Sequence, residues 1–362
     1  MKLGTVAENP LEWALLRTGL VPTPLLDTII ALLLARAVMV GTKLGVFEAL
    51  AAGPLPAEKI AAQCEGHPAA MEKLLSALTG AGYLRFAAGR YRLAPVARRW
   101  LLKDSPHSLY DAILLQLLDA RFIEQTEAYV RSGEPVHIHE EMAGEEWALY
   151  QRGMRSGANL AAAEVALRVR LPQGAHDMLD IGGAHGYYSV AFCRRHPNLR
   201  ATILDLPQAI EYAAPLLARE GMGDRVVHRA GDALTAELGE QTYDVVLIAN
   251  LVHHFSDEAN RDLLCRVARA LRPGGIVILG DMIRPATPGA GGQIGALTDL
   301  YFAVTSESGT WSLAEMAAWL RAAGLRPRRP IHLITGPGAG LQIAGKPALP
   351  AQRSVSQPVD TR

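Results

Sequence analysis

Apolar residues recur at threes and fours through residues 24–50, where Ile29, Ile30, Leu33, Leu34, Ala37, Val38 and Val40 predict a helix that Gly45 breaks. Two short helical stretches follow at 56–63 and 68–79, each opened by a proline suited to a first helical turn, with Gly66 between them. Gly80 and Gly82 end the second, and 83–93 read as strand, turn and strand. Helix, turn, helix and hairpin make a winged-helix pattern. Helices dominate from Ala97 to Arg170, until Pro172 and Gly174 end them. Short Val/Ile/Leu runs then alternate with helical patterns, as expected of a parallel sheet covered on both faces. Strands are expected at 178–181, 201–204, 226–229, 245–248, 276–279, 332–334 and 341–344, an α/β, doubly wound sheet of about seven strands. The last segment, 347–362, carries three prolines and no periodic apolar face, and is expected to be a disordered tail.

Composition narrows the classes. Lysine plus arginine and aspartate plus glutamate both number 36, so no general charge draws the chain to nucleic acid or anionic lipid. With 49% hydrophobic and 20% charged residues the chain can bury a large core. Cys64, Cys193 and Cys265 form no Cys-x-x-Cys pair, which leaves neither a disulfide framework nor a thiolate metal cage and points to a reducing compartment. The apolar run at 28–35 is bounded by Asp27 and Arg36, far short of the ~18 to 20 residues of a membrane span. Glu8, Glu12 and Arg17 interrupt any signal-peptide core, so a soluble cytoplasmic protein is expected.

The first strand of the sheet runs into Asp180-Ile181-Gly182-Gly183-Ala184-His185-Gly186, a small-residue turn that lets backbone approach a ligand. The Gly-x-Gly-x-x-Gly spacing of a dinucleotide site is absent, which disfavours NAD. Asp180, at the strand end, suits a cationic ligand. Asp205 ends the second strand, 23 residues after Gly182, where a Rossmann-like fold places the carboxylate that bonds both ribose hydroxyls. Asp232, in Gly231-Asp232-Ala233, follows the third strand. All three sites belong at the carboxyl ends of adjacent strands, so one adenosine-bearing ligand could touch them all.

With these residues, the sequence resembles the S-adenosylmethionine-dependent O-methyltransferases of the plant-caffeate type and their bacterial small-molecule relatives. The resemblance rests on the winged-helix half, Leu179-Asp180-Ile181-Gly182-Gly183, Asp205-Leu206-Pro207, Gly231-Asp232, the segment His253 to Glu258, and Leu271-Arg272-Pro273-Gly274-Gly275. It implies a Rossmann-like class I methyltransferase domain behind a mainly helical winged-helix dimerisation domain. The implied division is 1–115 for dimerisation, 116–172 for a helical linker and lid, and 173–346 for the donor-binding domain. The implied donor is S-adenosylmethionine, with S-adenosylhomocysteine as product and no metal. Gly182 and Gly186 would admit the donor, Asp205 hold its ribose and Asp232 lie beside its adenine, with Asp180, Leu206, Gly231, Ala233 and Asn250 around it. Ala184 stands where many relatives carry glycine.

Methyl transfer is an in-line displacement at a sulfonium carbon, and a phenolic acceptor of pKa about 10 must lose its proton, a task suited to a histidine of ordinary pKa ~6.5. The resemblance assigns the base to His253, with His254 beside or outside the site. Two glutamates often orient that base in relatives; the first maps to Asp281, the second falls near Thr310, which is no carboxylate. Transfer to oxygen is therefore expected, with carbon or nitrogen left open. Candidate acceptor contacts are Phe122, Trp147, Tyr150, Met154, Met282, Tyr301, Phe302 and Trp311. His137, His139, Glu140 and Glu141 are read as solvated charge in a loop rather than a metal site. A winged-helix regulator is the rival class, but 68–78 offer one lysine and one glutamate on an apolar helix, poor chemistry for phosphates. A homodimer is expected instead.

Overall fold

A computed structural model describes residues 4–348, apart from Gly289 and Gly291. Beyond residue 348 the expected tail lies outside the described residues. The N-terminal half builds the expected pattern: helices Ala57–Gln63 and Pro68–Gly80, then the hairpin β1 (Leu84–Ala87) and β2 (Arg90–Leu93). The hairpin turns through Ala88 and Gly89, both left-handed at φ 48° and 73°, a geometry whose twist matches that of the strands. Met71, Leu75 and Leu78 point from the Pro68–Gly80 helix into a core shared with Val46, Phe47 and Ile60.

The first long helix starts where the apolar periodicity predicts and ends before Gly45, but its apolar length exceeds the run at 28–35. Asp27 and Arg36 do not bound it; Thr23–Lys43 is one helix of 21 residues, with a wider π turn over Leu26–Ile30. By length and composition it could cross a membrane, which the run at 28–35 alone does not suggest. Ile29, Ile30, Leu32 and Leu33 are each more than half exposed, so the chain by itself leaves this apolar face uncovered.

The C-terminal half is organised by one sheet. Its strands are β3 (Asp177–Ile181), β4 (Arg200–Asp205), β5 (Val226–Ala230), β6 (Tyr243–Ala249), β7 (Leu271–Met282), β8 (Arg326–Pro327), β9 (Ile331–His332) and β10 (Ala339–Gly345). The order is β5-β4-β3-β6-β7-β10-β8, with β9 also paired to β10. From β5 to β7 neighbours are parallel, and β10 lies antiparallel on β7. Of the strand expected at 332–334 only His332 is in β9, and β8 is a short strand that the sequence does not predict. The near-continuous apolar runs are explained by burial on both faces: Leu179, Val246 and Leu279 pack with Trp319, while Met178, Leu247 and Ile278 pack with Val190 and Phe192.

The chain runs outward from β3 through β4 to β5, then returns to place β6 on the other side of β3. That reversal opens a crevice at the carboxyl ends of β3 and β6, where ligands of open α/β sheets bind. Two helices roof it, Tyr110–Ile123 and Glu145–Arg168. Tyr150, Met154, Ala158, Ala161 and Val165 of the second recur at threes and fours and face the crevice. Residue 115, the expected edge of the first domain, falls inside the first of these helices.

Candidate active site

The turn after β3 is built from left-handed residues: Gly182 at φ 69°, Ala184 at 43° and Gly186 at 71°. A Cβ on Gly182 would stand 2.8 Å from Leu251, so glycine there keeps the turn close to the β6 loop. Asp205 fastens the turn, its Oδ2 accepting the Ala184 N–H at 2.7 Å and its Oδ1 accepting the Leu206 N–H at 2.8 Å. Burial pushes the Asp205 carboxyl up, and the two N–H groups oppose that shift. Asp232 Oδ1 accepts the Leu234 N–H at 2.8 Å, which fixes the loop after β5.

These residues surround a cavity of about 160 Å³. Gly182, Asp205, Leu206, Gly231, Asp232, Ala233 and Asn250 all line it, as the sequence suggests. Asp180 and Gly186, also expected around the donor, do not line it. Asp180 is buried beneath the turn, its Oδ2 accepting the Ser189 hydroxyl at 2.7 Å, and burial pushes its carboxyl up to about 7. A Cβ on Gly186 would meet Ile203 at 2.5 Å, so this glycine serves helix-to-strand packing.

A second cavity, of about 330 Å³, adjoins the first at Tyr150, Asn250 and His254, which line both. Met154, Met282, Tyr301, Phe302, His253 and Asp281 line the larger one. Phe122 does not; it is buried in a side core with Leu118, Ile138 and Met142. Trp311 does not either, packing on Trp319 and donating its indole N–H to the Val252 carbonyl at 3.0 Å. Both were expected to touch an acceptor, and both instead hold up the walls.

His253 sits on a single 3-10 turn, Val252–His254, after β6 and is 2% exposed. Its Nδ1 lies 2.9 and 3.0 Å from the two oxygens of Asp281, at the end of β7. A carboxylate can only accept, so Nδ1 carries the proton and Nε2 is left as the basic nitrogen. The Phe302 ring packs against the imidazole with centres 3.9 Å apart and planes tilted by 33°, and the Ser306 hydroxyl lies 3.0 Å from the His253 carbonyl. Asn260 and Trp311 both donate to the Val252 carbonyl. Thr310 makes no contact with this pair among its hydrogen bonds; it is buried and donates to Asp299 Oδ1 at 2.6 Å.

Several lining residues were not read from the sequence. His139 leaves the expected solvated loop to stack on Trp147, 5.5 Å between ring centres, with Nε2 3.2 Å from the Tyr150 hydroxyl. Burial holds its imidazole down at about 4, and His254, 4.7 Å away, is held well below the usual range for the same reason. Gln151 lines the smaller cavity one helical turn from Trp147, which is read from the sequence as an acceptor contact and lines this cavity rather than the larger one; the spacing from Trp147 could have revealed Gln151. Trp147 Nε1 and Gln151 Oε1 are buried without a partner. Unsatisfied buried polar atoms at a cavity wall fit a polar ligand. Among the described residues no group of three or more His, Cys, Asp or Glu side chains is placed to hold a metal ion.

A family model described as an O-methyltransferase domain matches residues 114–326, and one described as an O-methyltransferase dimerisation domain matches 26–103. The 3-hydroxy-5-methyl-1-naphthoate 3-O-methyltransferase of Streptomyces sahachiroi is 29% identical over 334 residues, covering 90% of this chain and 95% of that protein. An N,N-dimethyltransferase of Streptomyces rimosus is 28% identical over 330 residues, covering 86% and 93%. The solved structure of a mitomycin 7-O-methyltransferase superposes with a TM-score of 0.75 at 26% identity, covering 93% of this chain and all of that one. With its catalytic domain and its dimerisation domain both matched, the chain belongs to the S-adenosylmethionine-dependent O-methyltransferase family.

Proposed function

We propose that the protein transfers a methyl group from S-adenosylmethionine to a hydroxyl of an aromatic, polyketide-like small molecule, with His253 as general base. The observation that carries this reading is the buried His253–Asp281 pair on the wall of a cavity that opens onto the one built by Gly182, Asp205 and Asp232. When bound, S-adenosylmethionine supplies a methyl on a sulfonium centre, needing no metal. Asp205 would accept the ribose hydroxyls and Asp232 would lie beside the adenine. Trp147 Nε1 and Gln151 Oε1 would each find a polar partner on the donor.

The acceptor enters the larger cavity, where Tyr150, Met154 and Phe302 offer apolar and aromatic faces. His253 Nε2 takes the hydroxyl proton, and Asp281 stabilises the imidazolium that forms, without itself taking the proton. The resulting oxyanion is the nucleophile. Aromatic polyketide hydroxyls incubated with S-adenosylmethionine should gain one methyl on oxygen, read by mass spectrometry with the position assigned by NMR. A methyl on nitrogen would favour the reaction named for the Streptomyces rimosus relative, and no gain across a panel of acceptors would end the reading.

We further propose a soluble, cytoplasmic homodimer in which a second copy covers the exposed face of Thr23–Lys43. Support comes from the dimerisation-domain match, which includes residues 26–43, and from four half-exposed branched side chains on one helix. Light scattering at micromolar concentration should give about twice 38.9 kDa. A monomer that stays in solution only with detergent would support a membrane contact for this helix instead.

A further inference from the structure

The proposed reaction leaves one charged group in the larger cavity without a task. Asp119, on the helix Tyr110–Ile123, is 9% exposed and lines the cavity wall. The Tyr301 hydroxyl donates to its Oδ1 at 3.1 Å and the Gln116 amide to its Oδ2 at 3.2 Å. Among the described residues no cation pairs with it. The arginines of the roof are engaged elsewhere: Arg121 with Glu146, Arg152 with Asp111, Arg155 with Glu220 and Arg168 with Glu164. No lysine or arginine among the described residues lines the cavity. Its other carboxylate, Asp281, is occupied by His253. Burial keeps the imidazoles of His185 and His254 neutral, so neither offsets the negative charge.

A buried carboxylate without a cation is costly unless a ligand supplies the missing partner. Two of its lone-pair sites are filled by Tyr301 and Gln116, and a carboxylate accepts about four hydrogen bonds. The cavity is also lined by the aromatic residues Tyr150, Tyr188 and Phe302, whose ring faces can attract a cation. We infer that Asp119 selects the acceptor: the molecule methylated here carries a basic amino group, held as an ammonium against Asp119, in addition to the hydroxyl presented to His253. An acceptor carrying a carboxylate would meet an anionic cavity with no cation to receive it. Burial pushes the Asp119 carboxyl up to about 6, the behaviour of a site that lacks its positive partner.

The inference rests on the methyltransferase reading, and its test separates the two. The protein is first titrated with S-adenosylhomocysteine by calorimetry; no binding there would overturn the proposed function and the inference with it, whereas the outcomes that follow bear on Asp119 alone. The saturated complex is then titrated with three probes of similar size: 4-(2-aminoethyl)catechol, 4-propylcatechol and 3-(3,4-dihydroxyphenyl)propanoate. The amine is expected to bind at least about tenfold more tightly than the neutral probe, with the carboxylate weakest. Asp119→Asn should reduce the amine's advantage to about twofold or less, whereas Asp119→Glu, which keeps the charge, should restore most of it. Unchanged S-adenosylhomocysteine affinity in both variants would show that they fold. Equal or weaker binding of the amine than of the neutral probe, no binding of any probe, or an amine preference that survives in Asp119→Asn would overturn the inference.

Discussion

His253→Ala should lower turnover by ~10²- to 10⁴-fold, the usual contribution of a positioned general base. The loss belongs to the chemical step, because His253 lines the larger cavity and not the smaller one. S-adenosylhomocysteine affinity, measured by calorimetry, should therefore stay within about twofold of wild type. The buried ring is tied to Asp281 through Nδ1, so the variant also leaves a carboxylate without its imidazole donor. The Met282 N–H still bonds Asp281 Oδ1 at 2.7 Å and limits that damage. Asp281→Asn should cost less than His253→Ala: an amide oxygen can still accept from Nδ1, but the charge that stabilises the imidazolium is gone. A His253→Ala enzyme keeping more than about a third of wild-type rate, with chemistry shown to limit turnover, would mean catalysis by proximity alone.

Asp205→Ala should weaken S-adenosylmethionine binding by roughly ten- to a hundredfold, or ~1.5 to 3 kcal/mol for charge-assisted hydrogen bonds to the ribose. Part of the loss would come from the turn itself, since Ala184 N–H would lose its acceptor. Asp205→Asn separates the two effects, as its amide oxygen can keep one backbone bond while the charge is removed. Calorimetry on both variants should place Asn between wild type and Ala. Wild-type affinity in Asp205→Ala would remove this residue from the donor site.

The parts of the site legible in the sequence are those fixed by their own strand. Gly182, Asp205, Asp232 and His253 each lie at the carboxyl end of a strand that announces itself by an apolar run, so their convergence follows from sheet topology. Asp180 and Gly186 flank the same turn, yet one points under it and the other into packing, a matter of local backbone direction that residue type does not reveal. Phe122 and Trp311 show the same limit for aromatics, whose pattern is identical in a core and in a pocket. Asp119 and His139 escaped because their partners are remote: Tyr301 lies 182 residues from Asp119, and His139, on the short helix Ile138–Glu141, meets His254 beyond β6. The apolar length of the Thr23–Lys43 helix was misjudged for a simpler reason. Its extent follows from the apolar periodicity, but Asp27 and Arg36 read as the ends of its apolar run, whereas a helix carries single charges on one side and stays apolar enough overall to match a span.

The central claim is that His253 removes the acceptor proton in the transfer step, and the pH dependence of single-turnover methyl transfer tests it most directly. With donor and acceptor prebound, the wild-type rate should fall on the acid side as the imidazole gains a proton and can no longer accept one. His253→Ala should be slow at every pH and should lack that acid limb, with any rise reporting the acceptor's own ionisation. An acid limb of the same position and depth in both proteins would contradict the claim, because the group that titrates would then not be His253.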